Sequence, residues 1–170
     1  MLLEEFPDLT VDLNNAVFSV TKHRRYALWR TWDPSYPKLL FIGINPSTAD
    51  GEKNDPTINR LTTILKGWGY GGLMIANLSS KISSNPKEVR EVRDSFLIED
   101  DYIKWMKGQC EDTVVMWGNE GKRFMNRINQ IKAIIPEPYC FYQNANGHPR
   151  HPLYMANEDL HITPFDWSRL

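Results

Sequence analysis

Four short apolar runs constrain the fold of this chain most strongly. They lie at residues 38–45, 72–78, 113–118 and 139–143, and helix-length stretches separate them. Continuous apolar runs of this kind are typical of strands covered on both faces of a sheet. Parallel neighbours need long crossover connections, which are usually helices. The pattern therefore predicts an α/β three-layer sandwich with a central, mainly parallel four-stranded sheet and helices on both faces.

The flanking segments predict the remaining elements. Residues 16–20 and 25–32 are rich in β-branched and aromatic side chains, which predicts an N-terminal β-hairpin. Asp55 before Pro56 predicts the start of a helix that ends at Gly69. Further helices are predicted at 85–93, 96–108 and 120–134.

Length and composition limit the function classes. With 170 residues and 41% hydrophobic content, residues 1–170 are expected to form one domain. The net charge of −1 excludes a global basic field, so binding of a nucleobase, nucleotide or DNA must be local. No membrane span, leader segment or cofactor motif is recognisable, and the two cysteines lack metal spacing. We expect a reduced, cytoplasmic protein without a cofactor.

Polar residues follow the apolar runs where the strands are predicted to end. In the sequence GINPSTAD, Gly43 permits close approach of a ligand to the backbone, and Asn45 offers both donors and an acceptor. Asn77, Trp117 and Asn119 lie at or just after the ends of the next two runs, and Asn144 and the loop 146–154 follow the fourth. Since ligands bind beyond the carboxyl ends of such strands, these residues are expected to line one pocket. A purely structural turn is the alternative for GINPS.

The motif GINPS resembles the first active-site motif, GINPG, of mismatch-specific uracil and thymine glycosylases in the uracil-DNA glycosylase superfamily. The sequences LMIANLS, VVMWGN and HPRHPL resemble three further motifs of these enzymes, in the same order. The longer string GINPSTADGEKNDPTINR, followed by GWGYGG, more closely resembles a bacterial and phage family of unknown function. That family implies no activity.

The glycosylase resemblance implies a role for each matching residue. Asn45 would order the attacking water, Asn77 would read the base, and either His151 or His148 would hydrogen-bond the departing base. For Asn77, a cap or turn after the strand is the alternative. The other residues implied to contact substrate are Gly43, Ile44, Pro46, Ser47, Trp117, Asn119, Leu153 and Tyr154, of which Leu153 or Tyr154 would fill the vacated base stack.

Acidic residues in the loop after GINPS depart from the glycosylase pattern. Asp50 and Asp55 are candidate acid or base groups, although a helix cap sufficiently explains Asp55. Their charge would repel a phosphate backbone. No metal site is expected, because the histidines lack ligand spacing.

The sequence leaves three functions open. The first is an N-glycosidic hydrolase that acts on a pyrimidine base, modified or not, in DNA or in a nucleotide. The second is a non-catalytic nucleobase-binding or nucleotide-binding protein of the same fold, and the third is an accessory protein that acts through a protein partner. For the hydrolase, Asn45→Ala is expected to lower base excision without unfolding the protein, and Asn45→Asp to retain activity.

Overall fold

The computed structural model describes residues 13–170, which form an α/β fold around one mixed sheet of seven strands. The strand order is β1-β2-β4-β3-β5-β6-β7. The strands are β1 Asn15–Phe18, β2 Arg25–Thr31, β3 Lys38–Gly43, β4 Gly72–Asn77, β5 Asp112–Val115, β6 Tyr139–Cys140 and β7 Thr163–Pro164.

The four predicted strands are neighbours and run parallel in the order β4, β3, β5, β6. The prediction of a four-stranded sheet is wrong in strand number, because the hairpin β1–β2 joins the same sheet antiparallel to β4. At the other edge, β7 pairs antiparallel with β6. Leu28 and Trp29 of β2 are both fully buried. The hairpin is therefore part of the sheet's core and not an appendage to it.

Helices cover both faces of the sheet, as predicted. Ile58, Leu61 and Leu65 of the first helix belong to the apolar core on one face. Ile103 and Ile131, from the other two helices, belong to the core on the opposite face. The helices are α1 Pro56–Trp68, α2 Leu97–Gln109 and α3 Met125–Ile134.

The predicted limits of α1 are confirmed. Asp55 is the N-cap, and its side chain accepts a hydrogen bond from the backbone N–H of Ile58 at 2.9 Å. Pro56 occupies the first helical position, where a missing N–H costs nothing. Gly69 ends the helix in the left-handed region, with φ of 82°. These local signals fix the start of α1 beside the carboxyl end of β3.

The predicted helix at 85–93 is wrong, since only a single 3₁₀ turn, Pro86–Glu88, forms there. Val92 would share a helical face with Val89, yet Val92 is 99% exposed. The segment thus lacks the apolar stripe that stabilises a surface helix.

The predicted helix at 120–134 is broken at Phe124. A 3₁₀ helix at Asn119–Arg123 precedes α3, and Phe124 between them has φ of −123°. The Phe124 ring is buried, and a Cβ at Gly121 would lie 2.3 Å from the Trp117 ring. Close packing of this turn on Trp117 therefore displaces the start of the helix.

The strand predicted at 139–143 is shorter in the structure, where it spans only Tyr139–Cys140. Beyond it the chain folds back, and the carbonyl of Tyr142 accepts a hydrogen bond from the N–H of Arg150 at 2.8 Å. This return carries the segment 144–154 to the carboxyl edge of the parallel strands.

Candidate functional site

A cavity of about 690 Å³ opens at the carboxyl ends of β3, β4 and β5. Gly43, Ile75 and Met116 line it from these strands or directly after them. In open α/β sheets, this edge is where ligands bind, and the volume lies within the usual range for small-molecule sites. Of the residues predicted from the sequence, the cavity is lined by Gly43, Ile44, Asn45, Ser47, Asp55, Asn77, Trp117, Asn119, Asn144, Arg150, His151, Leu153 and Tyr154.

Asn77 is held against Gly43 by the parallel pairing of β3 and β4, in which these two residues are register partners. A Cβ at position 43 would lie 2.8 Å from Asn77 Oδ1, so glycine is what lets the amide sit there. Asn77 is only 7% exposed, and within residues 13–170 its amide makes no hydrogen bond to protein. One donor group and one acceptor are therefore available to a ligand.

Asn45 has its amide nitrogen committed to the backbone. Nδ2 donates to the carbonyls of Pro46 at 2.9 Å and Ser83 at 2.8 Å. Its Oδ1 is buried, and nothing in the described part of the chain donates to it. The amide nitrogen is therefore not free to order the attacking water, and only the buried Oδ1 acceptor remains of the group that was expected to do so.

Asp55 combines the two roles that the sequence left open for it. One oxygen caps α1, and the residue also lines the cavity at 7% exposure. Its negative charge opposes the lowering of the pKa values of Arg25 and His151, which places it near both groups. A buried carboxylate with one oxygen outside the cap is thus present in the cavity.

The two candidate histidines occupy different environments. His151 lines the cavity, and its Nδ1 accepts a hydrogen bond from the N–H of Leu153 at 3.2 Å. Burial lowers the pKa of His151 from 6.5 to about 4, so the ring is neutral at pH 7 with its proton on Nε2. His148 is not among the residues that line the cavity, and its Nδ1 accepts from Trp117 Nε1 at 3.2 Å.

Trp117 contributes one wall of the cavity but is 2% exposed. Its ring packs edge to face on Phe165 at a centroid distance of 5.9 Å. Because its only side-chain N–H donates to His148, the Trp117 side chain offers a ligand apolar surface and no hydrogen bond. His148 thus acts on the site by orienting Trp117.

A network of amides forms the wall beside Asn119. Asn119 Oδ1 accepts from Asn144 Nδ2 at 2.9 Å and from Asn146 Nδ2 at 3.0 Å. Asn144 Oδ1 accepts in turn from Arg150 Nε at 3.0 Å, and the Arg150 guanidinium lies over the Tyr142 ring at 4.4 Å. The side chain of Asn119 is therefore fixed by its neighbours.

The remaining predicted residues lie at the mouth of the cavity or outside it. Leu153 and Tyr154 are 40% and 83% exposed, which suits residues at an entrance. Pro46 and Asp50 are not among the lining residues. Asp50 accepts the N–H groups of Glu52 and Lys53, and these bonds lower the pKa of Asp50. Asp50 therefore stabilises its own turn and takes no part in the cavity.

Arg25 is the main lining residue that the sequence analysis missed. It begins β2, is 4% exposed and lies near Asp55. The only available signal was a charged residue at the start of a largely apolar strand. Other polar residues that line the cavity and were missed are Thr57, Ser83, Ser84 and Glu120.

The described residues hold neither a metal-binding cluster nor a membrane-spanning helix. Within residues 13–170, no group of three or more histidine, cysteine, aspartate or glutamate side chains is arranged to hold a metal ion. None of the helices in this range has the length and apolar character needed to cross a membrane.

A family model with the description "Protein of unknown function (DUF1643)" matches residues 25–153, more than half of the chain. The match begins at Arg25 and ends at Leu153, so it includes the whole cavity lining except Tyr154. Comparisons with curated proteins and with solved structures gave no match. The predicted resemblance to a family of unknown function is confirmed, and the chain belongs to the DUF1643 family.

Proposed function

We propose that this protein hydrolyses the N-glycosidic bond of a pyrimidine nucleotide or of a pyrimidine in DNA. The observation that carries the proposal is the Asn77 side chain, which lines the cavity at 7% exposure and whose amide makes no hydrogen bond to protein within residues 13–170. An amide in this state pairs with an edge that presents one donor and one acceptor, as a uracil-like base does. The order of the motifs, which resembles that of uracil-DNA glycosylases, supports the same substrate class.

His151 is suited to assist departure of the base. As a neutral ring with its proton on Nε2, it donates a hydrogen bond without carrying a positive charge. When the bond between the anomeric carbon and the base nitrogen breaks, its electron pair goes to the base. A donor at a base carbonyl oxygen stabilises the anion that forms.

Asp55 is suited to the attack of water. Its uncapped carboxylate oxygen accepts a proton as the water oxygen bonds to the anomeric carbon, and solvent later removes that proton. The same negative charge stabilises the positive charge that develops on the sugar. This assignment replaces Asn45, whose amide nitrogen is already bonded to two carbonyls.

A non-catalytic nucleotide-binding protein is the second candidate. The state of Asn45 favours it, because the residue that matches the water-ordering position of the glycosylases instead joins two backbone segments. Base recognition by Asn77 is common to both candidates, so only the chemistry separates them.

Release of free base distinguishes the two candidates. Wild-type protein, Asn77→Ala and Asn129→Ala are incubated with mononucleotides and oligonucleotides that carry uracil or hydroxymethyluracil. Asn129 is an exposed amide on α3 and serves as the matched control. We expect Asn77→Ala to lower release by on the order of a hundredfold, and Asn129→Ala to leave it unchanged. Absence of release by wild-type protein from every substrate would contradict the hydrolase and favour the binding protein.

A further inference from the structure

Arg25 is a buried cation whose hydrogen-bonding capacity is largely unused. It is 4% exposed and lines the cavity. Its Nη1 donates to the carbonyl of Ala49 at 2.8 Å, whereas Nε is buried without a partner. Within residues 13–170, Nη2 also makes no hydrogen bond. A guanidinium has five N–H donors, and leaving several unpaired in the interior is costly.

Arg30 lies on the same strand and is equally buried at 4% exposure, so its hydrogen bonds can be compared with those of Arg25. Its Nε donates to Asn54 Oδ1 at 2.8 Å, and Nη1 donates to the carbonyl of Trp29 at 3.0 Å. Its Nη2 donates to the carbonyls of Asp50 and Lys53. Every nitrogen of Arg30 therefore has a partner, so the unused donors of Arg25 are not a general property of this strand.

The positive charge of Arg25 is available to an anionic ligand. Burial lowers the pKa of Arg25 to about 10, at which the group remains cationic at neutral pH. Asp55 is near enough to oppose that shift, but no carboxylate in the described part of the chain forms an ion pair with Arg25. Ser47 and Thr57, which line the same cavity, add hydroxyl groups that can donate to an anionic oxygen.

We propose that Arg25 binds the terminal phosphate of a mononucleotide whose base lies on Asn77. The inference rests on the proposed function and narrows its substrate class. A planar guanidinium matches two phosphate oxygens at once, which suits the unused donors. A terminal phosphate can enter a cavity and reach a residue that is only 4% exposed. A phosphodiester is joined to a nucleotide on each side, so the cavity would have to admit both of those nucleotides as well. The cavity therefore favours a free nucleotide over a DNA strand.

Calorimetric titration tests the proposal with three probes: deoxyuridine 5′-monophosphate, deoxyuridine, and a short single-stranded oligonucleotide that contains one deoxyuridine. We expect wild-type protein to bind the monophosphate about tenfold or more tightly than the nucleoside, because a charge-assisted bond is worth about that factor. The advantage should fall as sodium chloride is raised. Arg25→Gln should bind the monophosphate and the nucleoside equally, and Arg25→Lys should recover part of the difference.

Arg30→Gln is the matched control. It removes a buried arginine that lies on the same strand as Arg25 and contacts the same loop, and Arg30 does not line the cavity. It should keep the preference for the monophosphate. Equal binding of monophosphate and nucleoside by wild-type protein, or no binding of either, would overturn the proposal. Tighter binding of the oligonucleotide than of the monophosphate would also overturn it and assign Arg25 to a backbone phosphate. Because these comparisons use wild-type protein alone, they remain decisive even if a variant fails to fold.

Base release is measured separately, so the two proposals fail separately. A preference for the monophosphate that depends on Arg25, without base release, supports the phosphate site and contradicts the hydrolase. If the protein releases base but binds the nucleotide and the nucleoside with equal affinity, the result contradicts the phosphate site and still supports the hydrolase.

Discussion

The amide of Asn77 occupies space that a side chain at position 43 would take, because a Cβ on Gly43 would lie 2.8 Å from Asn77 Oδ1. Gly43→Ala should therefore displace the Asn77 amide and weaken binding of a uracil nucleotide by about tenfold, the loss of roughly one hydrogen bond. Overpacking should also lower the free energy of unfolding by about 1–3 kcal/mol. Titration calorimetry and urea denaturation measure the two effects.

Gly67→Ala is the control for this substitution. Gly67 lies in α1, and an added Cβ there has no neighbour within 4 Å among the described residues. The change should raise stability by about 0.5–1 kcal/mol through helix propensity and leave binding unaltered. Unchanged nucleotide affinity in Gly43→Ala would show that the Asn77 amide does not contact the base.

Asn45 is expected to contribute to stability, contrary to the expectation from sequence that its replacement spares the fold. Asn45→Ala removes two hydrogen bonds to the carbonyls of Pro46 and Ser83, which should cost about 1–3 kcal/mol. Asn45→Asp should cost at least as much at pH 8, because a carboxylate there faces two carbonyl oxygens. Its stability should recover partly at acid pH, where the protonated carboxyl group can donate. Denaturation of both variants across pH measures this.

An Asn45→Asp variant as stable as wild type at pH 8 would contradict the bonding described for this side chain. Asn129→Ala again provides the control, since this exposed amide lies on α3, away from the cavity.

Local signals account for the part of the fold that the sequence predicts well. The apolar runs of β3, β4 and β5 can be recognised as strands without knowing which strands they pair with. The N-cap and proline that start α1, and the glycine that ends it, each act within one helical turn. The place of the hairpin in the sheet depends on pairing between Leu28 and Ile75, residues far apart in sequence. Pairing at such a distance leaves no local pattern, so the sequence predicts the hairpin but not its position.

The same distinction applies to the site. Asn77 and Gly43 lie at strand ends, and the rule for parallel sheets brings them together. The hydrogen bonding of the Asn45 amide depends on the Ser83 carbonyl, and the presence of His151 rather than His148 in the cavity lining depends on the path of a loop. Those contacts are set by tertiary structure, and sequence reasoning could not supply them.

His151 should make stability depend on pH in the acid range. Its pKa in the folded protein is about 4, below the ordinary value of 6.5, so the unfolded chain binds the proton more readily. The stability contributed by the neutral ring is complete above about pH 6.5 and declines as the pH falls toward 4. The slope reaches up to about 1.4 kcal/mol per pH unit. His151→Gln cannot titrate and should show a shallower decline than wild type.

Assigned NMR resonances of the His151 ring measure its pKa directly. A midpoint near 6.5 in the folded protein would contradict the partly buried, neutral ring and the role given to it in departure of the base.

Asp55 permits a substitution that separates its two roles. Asparagine is as good an N-cap as aspartate, so Asp55→Asn should keep the hydrogen bond to the Ile58 N–H and leave unfolding nearly unchanged. Asp55→Ala loses the cap and should cost about 0.5–2 kcal/mol. If the carboxylate accepts the proton of the attacking water, both variants should lose base release by on the order of a hundredfold or more, although only one loses stability. Base release and urea denaturation, measured on the same preparations, test this. Full activity in Asp55→Asn would restrict Asp55 to capping α1, and the water would then need another base among the residues that line the cavity.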